Sequence, residues 1–173
     1  ALALSAGISA AQSFGIVDAP RASQAYWKFQ SDTKTLQDEQ QRLQELQQSF
    51  RGSIDQLAKD IDALNQDANN TALSDEARAA KKKEADDKTA QVQTIQSNFQ
   101  LQVQRFQRRA QEVQAADEAD VMAAIQKVAK ANNMDVVFTS NAAFYAKTDI
   151  TDQVIEVLNS NEPKAPAAAP ASN

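Results

Sequence analysis

The sequence predicts an α+β fold that is mostly α: a long antiparallel coiled-coil hairpin inserted in a small three-strand β body that oligomerises. Three observations predict it. Glycine and proline, the two strongest breakers, are both absent from Ser53 to Glu162, which favours long uninterrupted helices. Two apolar ladders repeat every seventh residue, and a polar, turn-rich segment separates them. The β-branched and aromatic runs that read as strands stand near the two ends of the chain.

Residues 1–12 are small, apolar and uncharged, with a small-residue stretch at Ser9-Ala10-Ala11. They read as the remnant of a cleaved secretory signal peptide. Phe14 to Asp18 is the first strand, stopped by Pro20, a residue suited to the first turn of a helix. A helical pattern then runs to about Leu64 on the ladder Phe29, Leu36, Leu43, Phe50, Leu57, Leu64, widened by Leu46, Ile54 and Ile61. Gly52 is the only glycine in this region, and the flanking stripe shifts by one heptad position there, so it is the candidate hinge.

Asn65 to Ser74 is the expected tip, with Ser74, Asp75 and Glu76 opening the next helix as a hydroxyl cap followed by acids. The returning ladder is Ala85, Val92, Phe99, Phe106, Val113, flanked by Ile95, Val103 and Ala110. Centring the hairpin on Thr71 pairs Phe29 with Val113, Leu36 with Phe106, Leu43 with Phe99, Phe50 with Val92 and Leu57 with Ala85. The arm, residues 29–113, would then extend about 60 Å. Periodicity continues through Val121, Met122, Ile125 and Val128 and ends at Asn132-Asn133, residues that tolerate the left-handed conformation closing a helix. Asp135 to Ser140 is a strand, Ala142 to Ala146 a further one, and Asp149 or Thr151 caps a last helix carrying Val154, Ile155, Val157 and Leu158. The Pro/Ala-rich residues 161–173 read as a disordered tail. Residues 13–28 and 114–160 thus form a body whose edges and small core call for self-association.

This order of elements resembles the Skp/OmpH family of periplasmic chaperones. The residues that carry the resemblance are Phe14-Gly-Ile-Val-Asp18, Asn133-Met-Asp-Val-Val-Phe138 with Asn141-Ala-Ala-Phe-Tyr145, and Asp149-Ile-Thr-Asp-Gln-Val-Ile-Glu-Val-Leu158. The resemblance implies a homotrimer whose strands join in one small barrel, with helical tentacles around a cavity. It implies a holdase that binds unfolded outer-membrane protein clients there without ATP during periplasmic transit. Phe14, Ile16, Val136, Phe138 and Phe144 would then build the trimer body. One departure concerns charge: well-known members are basic, whereas this chain carries a net −5, and residues 30–115 hold 14 acids against 12 bases.

The remaining chemistry is sparse. There is no cysteine and no histidine, which removes thiol nucleophiles, thiolate metal sites and the commonest general base. No Gly-rich phosphate loop or metal-loop spacing exists, so neither enzyme activity nor a cofactor or metal is expected. The acidic balance argues against nucleic acid as a partner. No run approaches the ~20 apolar residues of a membrane span. Lys81-Lys82-Lys83 near the tip is either a solvated face balanced by Glu84, Asp86 and Asp87, or a contact for clients or transiently for a membrane surface. Leu73, Leu101, Arg105 and Arg108 are further candidate client contacts on the arm. The competing reading of the whole chain is a structural coiled-coil spacer or adaptor of the cell envelope.

Overall fold

A computed structural model of the chain describes residues 13–142 and 147–163. The element order is β1 (Phe14–Val17), α1 (Ala19–Ala25), α2 (Trp27–Ala68), α3 (Asp75–Ala131), β2 (Val136–Thr139), a 3-10 turn (Ser140–Ala142) and α4 (Thr151–Asn159). The chain divides into two compact units, one made of the chain up to Thr33 and from Val113 onward, the other of Lys34–Glu112. The residues expected as a signal remnant, most of the expected strand over 142–146 with its Phe144, and most of the tail lie outside the described residues. Ala142 itself closes the 3-10 turn rather than opening a strand.

In the first unit β1 and β2 pair in parallel, with Phe14 opposite Val136 and Ile16 opposite Phe138. A third segment joins the other side of β1 through one parallel bridge, Ile16 to Asp149: the Ile16 N–H donates to the Thr148 carbonyl, and the Ile150 N–H donates to the Ile16 carbonyl, each at 2.9 Å. The described sheet therefore has two strands and a bridge, where the sequence led us to expect three strands.

Alternation decides which side of the sheet is covered. Val17 is buried and joins a core of Ala22, Tyr26, Val121, Ala124, Val128, Ile150, Val154 and Leu158. The α3 contribution recurs at helical spacing, while Met122, expected on that stripe, is 56% exposed on the other face. Gly15 permits a close approach: a Cβ there would stand 2.6 Å from the Met134 sulfur, and that flexible side chain would have to shift. Met134 is placed by the end of α3, where Asn133 takes φ 52° and the Met134 N–H donates to the Ala129 carbonyl at 2.9 Å. That is a Schellman closure built on asparagine.

The continuous helix expected from Pro20 is interrupted once. Asp18 caps α1 by accepting the Arg21 N–H, but Tyr26 is extended (φ −77°, ψ 120°) and separates α1 from α2. Two effects hold the break. The Tyr26 ring is drawn into the core, and the Asn159 amide replaces the lost backbone partners. Its oxygen accepts the Trp27 N–H at 3.0 Å and its nitrogen donates to the Ala25 carbonyl at 2.9 Å.

The second unit is an antiparallel pair formed by α2 and α3. Ser74 caps α3 by accepting the Ala77 N–H. The register differs from the one centred on Thr71. Phe50 meets Phe99 edge to face, ring centroids 5.9 Å apart, instead of Val92. The cross-helix ion pairs follow the same register: Glu39 with Arg109 at 3.2 Å, Asp60 with Lys88 at 3.1 Å and Asp67 with Lys81 at 4.0 Å. The ladder has slipped by one heptad because a period of seven fits itself equally well after a shift of seven.

Candidate functional site

Five arrangements within the two units bear on function or on the elements that carry it. The first is the uncovered side of the sheet. Strand alternation puts Phe14 and Ile16 on the face opposite Val17, and the parallel register sets Val136 and Phe138 beside them. Phe14, Val136 and Phe138 are 47%, 41% and 44% exposed, and the Phe14 and Phe138 rings lie 6.1 Å apart. Four of the five residues assigned to the body thus share one apolar face; Phe144 lies outside the described residues.

Polar groups inside the same unit fix the ends of its elements. The Thr151 hydroxyl, 1% exposed as a residue, accepts the Asp18 N–H at 2.9 Å and donates to Asp149 Oδ1. Asp149 also accepts the Thr151 N–H at 2.9 Å, so the Asp-Ile-Thr segment ties the start of α4 to the end of β1. Hydrogen bonds from the Thr151 hydroxyl and then its backbone N–H hold the Asp149 carboxyl below its ordinary range.

Lys28 on α2 gathers three carboxylates: Asp117 at 2.5 Å, Asp32 at 3.1 Å and Asp120 at 3.6 Å. Burial alone would pull its ammonium down, yet the hydrogen bonds to Asp117 and Asp32 outweigh that and raise it above the usual lysine value. The Tyr26 hydroxyl donates to Asp120 at 3.2 Å; burial first, then the Asp120 charge, pushes its phenol up.

The arm unit presents a long, half-covered seam. Leu36, Leu43, Phe50, Leu57, Val92, Phe99 and Phe106 are all half-buried, as are the ladder residues Phe29 and Val113 of the first unit, and only Leu64 and Ala85 of the ladder are closed off. Two helices shield a seam residue from one direction only, which explains the incomplete burial. Of the other candidates, Leu101 is 50% exposed, whereas Leu73 is half-buried in the tip. Lys81 lies 4.0 Å from both Asp67 and Glu84, and Lys83 pairs with Asp87 at 2.9 Å. Lys82 makes no ion pair among the described residues. Gly52 is exposed inside an unbroken α2, and a Cβ there would meet nothing within 4 Å.

Arg105 lines a groove of about 310 Å³ with Arg42, Arg109, Leu43, Leu46 and Phe106, while Arg108 is exposed beside it. Sequence reasoning did not select Arg42, because nothing but the true register brings it level with Arg105. Asn159 was missed as well, since the break at Tyr26 that it closes has no local sequence signal.

The family model described as outer membrane protein (OmpH-like) matches residues 13–158. No curated protein sequence matches the chain. Among solved structures the chain is similar to a protein assigned as an OmpH-like outer membrane chaperone from Caulobacter crescentus CB15. The TM-score is 0.58 and the identity 22%, over 87% of this chain and 86% of that one. At that identity the likeness speaks for the fold.

Proposed function

The chain belongs to the OmpH-like outer membrane protein family, and on that premise we propose that it is an ATP-independent holding chaperone of the periplasm. It takes up unfolded outer-membrane proteins, prevents their aggregation in transit and catalyses no reaction. The observation that carries this reading is the half-covered seam of the arm. An unfolded client offers short apolar segments with no fixed shape. A long shallow apolar strip, wetted on both flanks by glutamine and charge, holds such segments weakly at many points and releases them without an energy source.

The same reading includes a homotrimer with clients in a cavity between its arms. Its support is the apolar sheet face of Phe14, Ile16, Val136 and Phe138 in a unit too small to leave such a face in water. Among the described residues β2 is paired on one side only, which leaves an edge for a further strand. The near-neutral arm charge makes apolar contact, rather than a broad positive field, the main source of holding.

The test is light scattering during dilution of a urea-unfolded β-barrel outer-membrane protein, with and without a molar excess of the chaperone and in the absence of nucleotide. Suppressed scattering is expected. Undiminished aggregation would reject the holding role and favour a structural spacer.

A further inference from the structure

The arm is close to neutral as a whole, yet its charge is not evenly spread. Between Lys88 and Glu112 the sequence holds three arginines, Arg105, Arg108 and Arg109, and no acid. In the folded arm Arg105 and Arg109 line one groove together with Arg42 of the opposite helix. Only Arg109 is neutralised, by Glu39 at 3.2 Å. Arg42, Arg105 and Arg108 make no ion pair among the described residues, and all three are exposed. The floor beneath them is apolar: Leu43, Leu46 and Phe106, each half-buried. Leu101, 50% exposed, stands four residues before Arg105 on the same side of α3, outside the groove itself.

An apolar floor with unpaired guanidinium groups at its rim suits a ligand that carries an anionic group beside an apolar one. Its size narrows the choice. About 310 Å³ is at the lower end of ligand cavities, enough for one or two apolar side chains and too little for several acyl chains. The Gln102 amide, also lining the groove, offers both a donor and an acceptor to a peptide backbone. Charge complementarity with Arg42 and Arg105 then requires carboxylates in the segment.

We propose that this groove is a docking point for acidic, apolar segments of unfolded polypeptide: an aliphatic or aromatic side chain enters over Leu43, Leu46 and Phe106, and a neighbouring Asp or Glu pairs with Arg42 or Arg105. The proposal rests on the holding-chaperone reading and adds client selectivity to it. The seam holds apolar segments of any kind; the groove favours those flanked by negative charge.

The experiment measures binding of two fluorescein-labelled, unstructured peptides to the full chain by anisotropy. One carries a Leu-Glu-Phe-Asp core and the other the isosteric Leu-Gln-Phe-Asn core. The acidic peptide is expected to bind more tightly, and the difference to shrink in high salt. Arg42→Gln with Arg105→Gln should weaken the acidic peptide roughly tenfold and leave the neutral one unchanged. The triple variant Lys81→Gln, Lys82→Gln, Lys83→Gln removes more charge elsewhere on the arm and should alter neither. Unchanged thermal unfolding checks that the exposed arginines are not needed for folding. Equal loss from the lysine variant would reduce the effect to general charge and overturn the groove. Loss of binding to vesicles of phosphatidylglycerol and phosphatidylcholine, with peptide binding intact, would assign the arginines to a lipid surface and equally overturn it. If the arginine variant binds both peptides normally while the chain still suppresses aggregation, the groove is wrong and the holding role stands. If the intact chain does neither, the underlying reading itself fails.

Discussion

At the scale of single residues, two buried polar side chains, Thr151 and Asp117, tie elements of the first unit together. Thr151 bonds to both Asp18 and Asp149, so Thr151→Val would leave the Asp18 N–H unpaired and remove one of the Asp149 contacts. The expected loss at pH 7 is about 1–3 kcal/mol in urea unfolding. Its pH dependence has a definite sign. The Asp149 carboxyl is lowered in the folded state, so its contribution is present above the unfolded value near ~3.9 and disappears as pH falls through the folded one. The gap between wild type and variant should therefore narrow as pH falls below the unfolded value; a gap that widened in acid would contradict this account. Lys28 has the opposite sign. Its folded value is raised, so its contribution is complete throughout the neutral range and is lost only in strong alkali, above the unfolded value near ~10.4. Lys28→Met leaves the buried Asp117 uncompensated. We expect a cost of about 2 kcal/mol, less than for a wholly buried pair because Lys28 is partly in water. Asp117→Asn in the same chain should restore part of it, which thermal unfolding would detect.

At the scale of elements, the arm is decided by register and by the uniformity of α2. A short bifunctional thiol reagent should link cysteines at positions 50 and 99 within one chain, because those rings are in contact. Cysteines at 43 and 99, one heptad out of step, should link poorly. The reverse outcome would restore the register centred on Thr71. Gly52 is the other element-scale feature. Since a Cβ there meets nothing, Gly52→Ala should add about 1 kcal/mol to the unfolding free energy of the arm. If the glycine also serves as a bending point, the same change should narrow the spread of distances between spin labels near Thr71 on different protomers. An unaltered spread would leave Gly52 an incidental helix glycine.

At the scale of the whole molecule, the prediction concerns assembly and the division of labour between units. Light scattering at micromolar concentration should give the mass of a trimer, and charges introduced on the uncovered sheet face, as in Phe138→Glu, should lower it. Glu39 and Arg109 face each other across the arm, so a short turn joining them can replace residues 40–108 without disturbing the first unit. Such a chain should remain an oligomer yet fail to suppress client aggregation. Protection equal to that of the intact protein would move the holding surface from the arm to the body.

Much of this was legible in the sequence because it depends on periodicity and on local capping. The heptads of Phe29 to Leu64 and Ala85 to Val113 determined two long helices. Ser74 and Asn133 marked a start and a stop through their own backbone preferences. What only the tertiary structure decided are the quantities to which such patterns are blind. A seven-residue repeat is unchanged by a shift of seven, so the meeting of Phe50 with Phe99, and with it the arginine groove, was decided only by the packing of the two helices. The break at Tyr26 arose because burying one ring and recruiting Asn159 from the far end of the chain outweighed two local helix hydrogen bonds. Met122 and Val121 are adjacent and both apolar, and only the packing of the core chose which of them to cover.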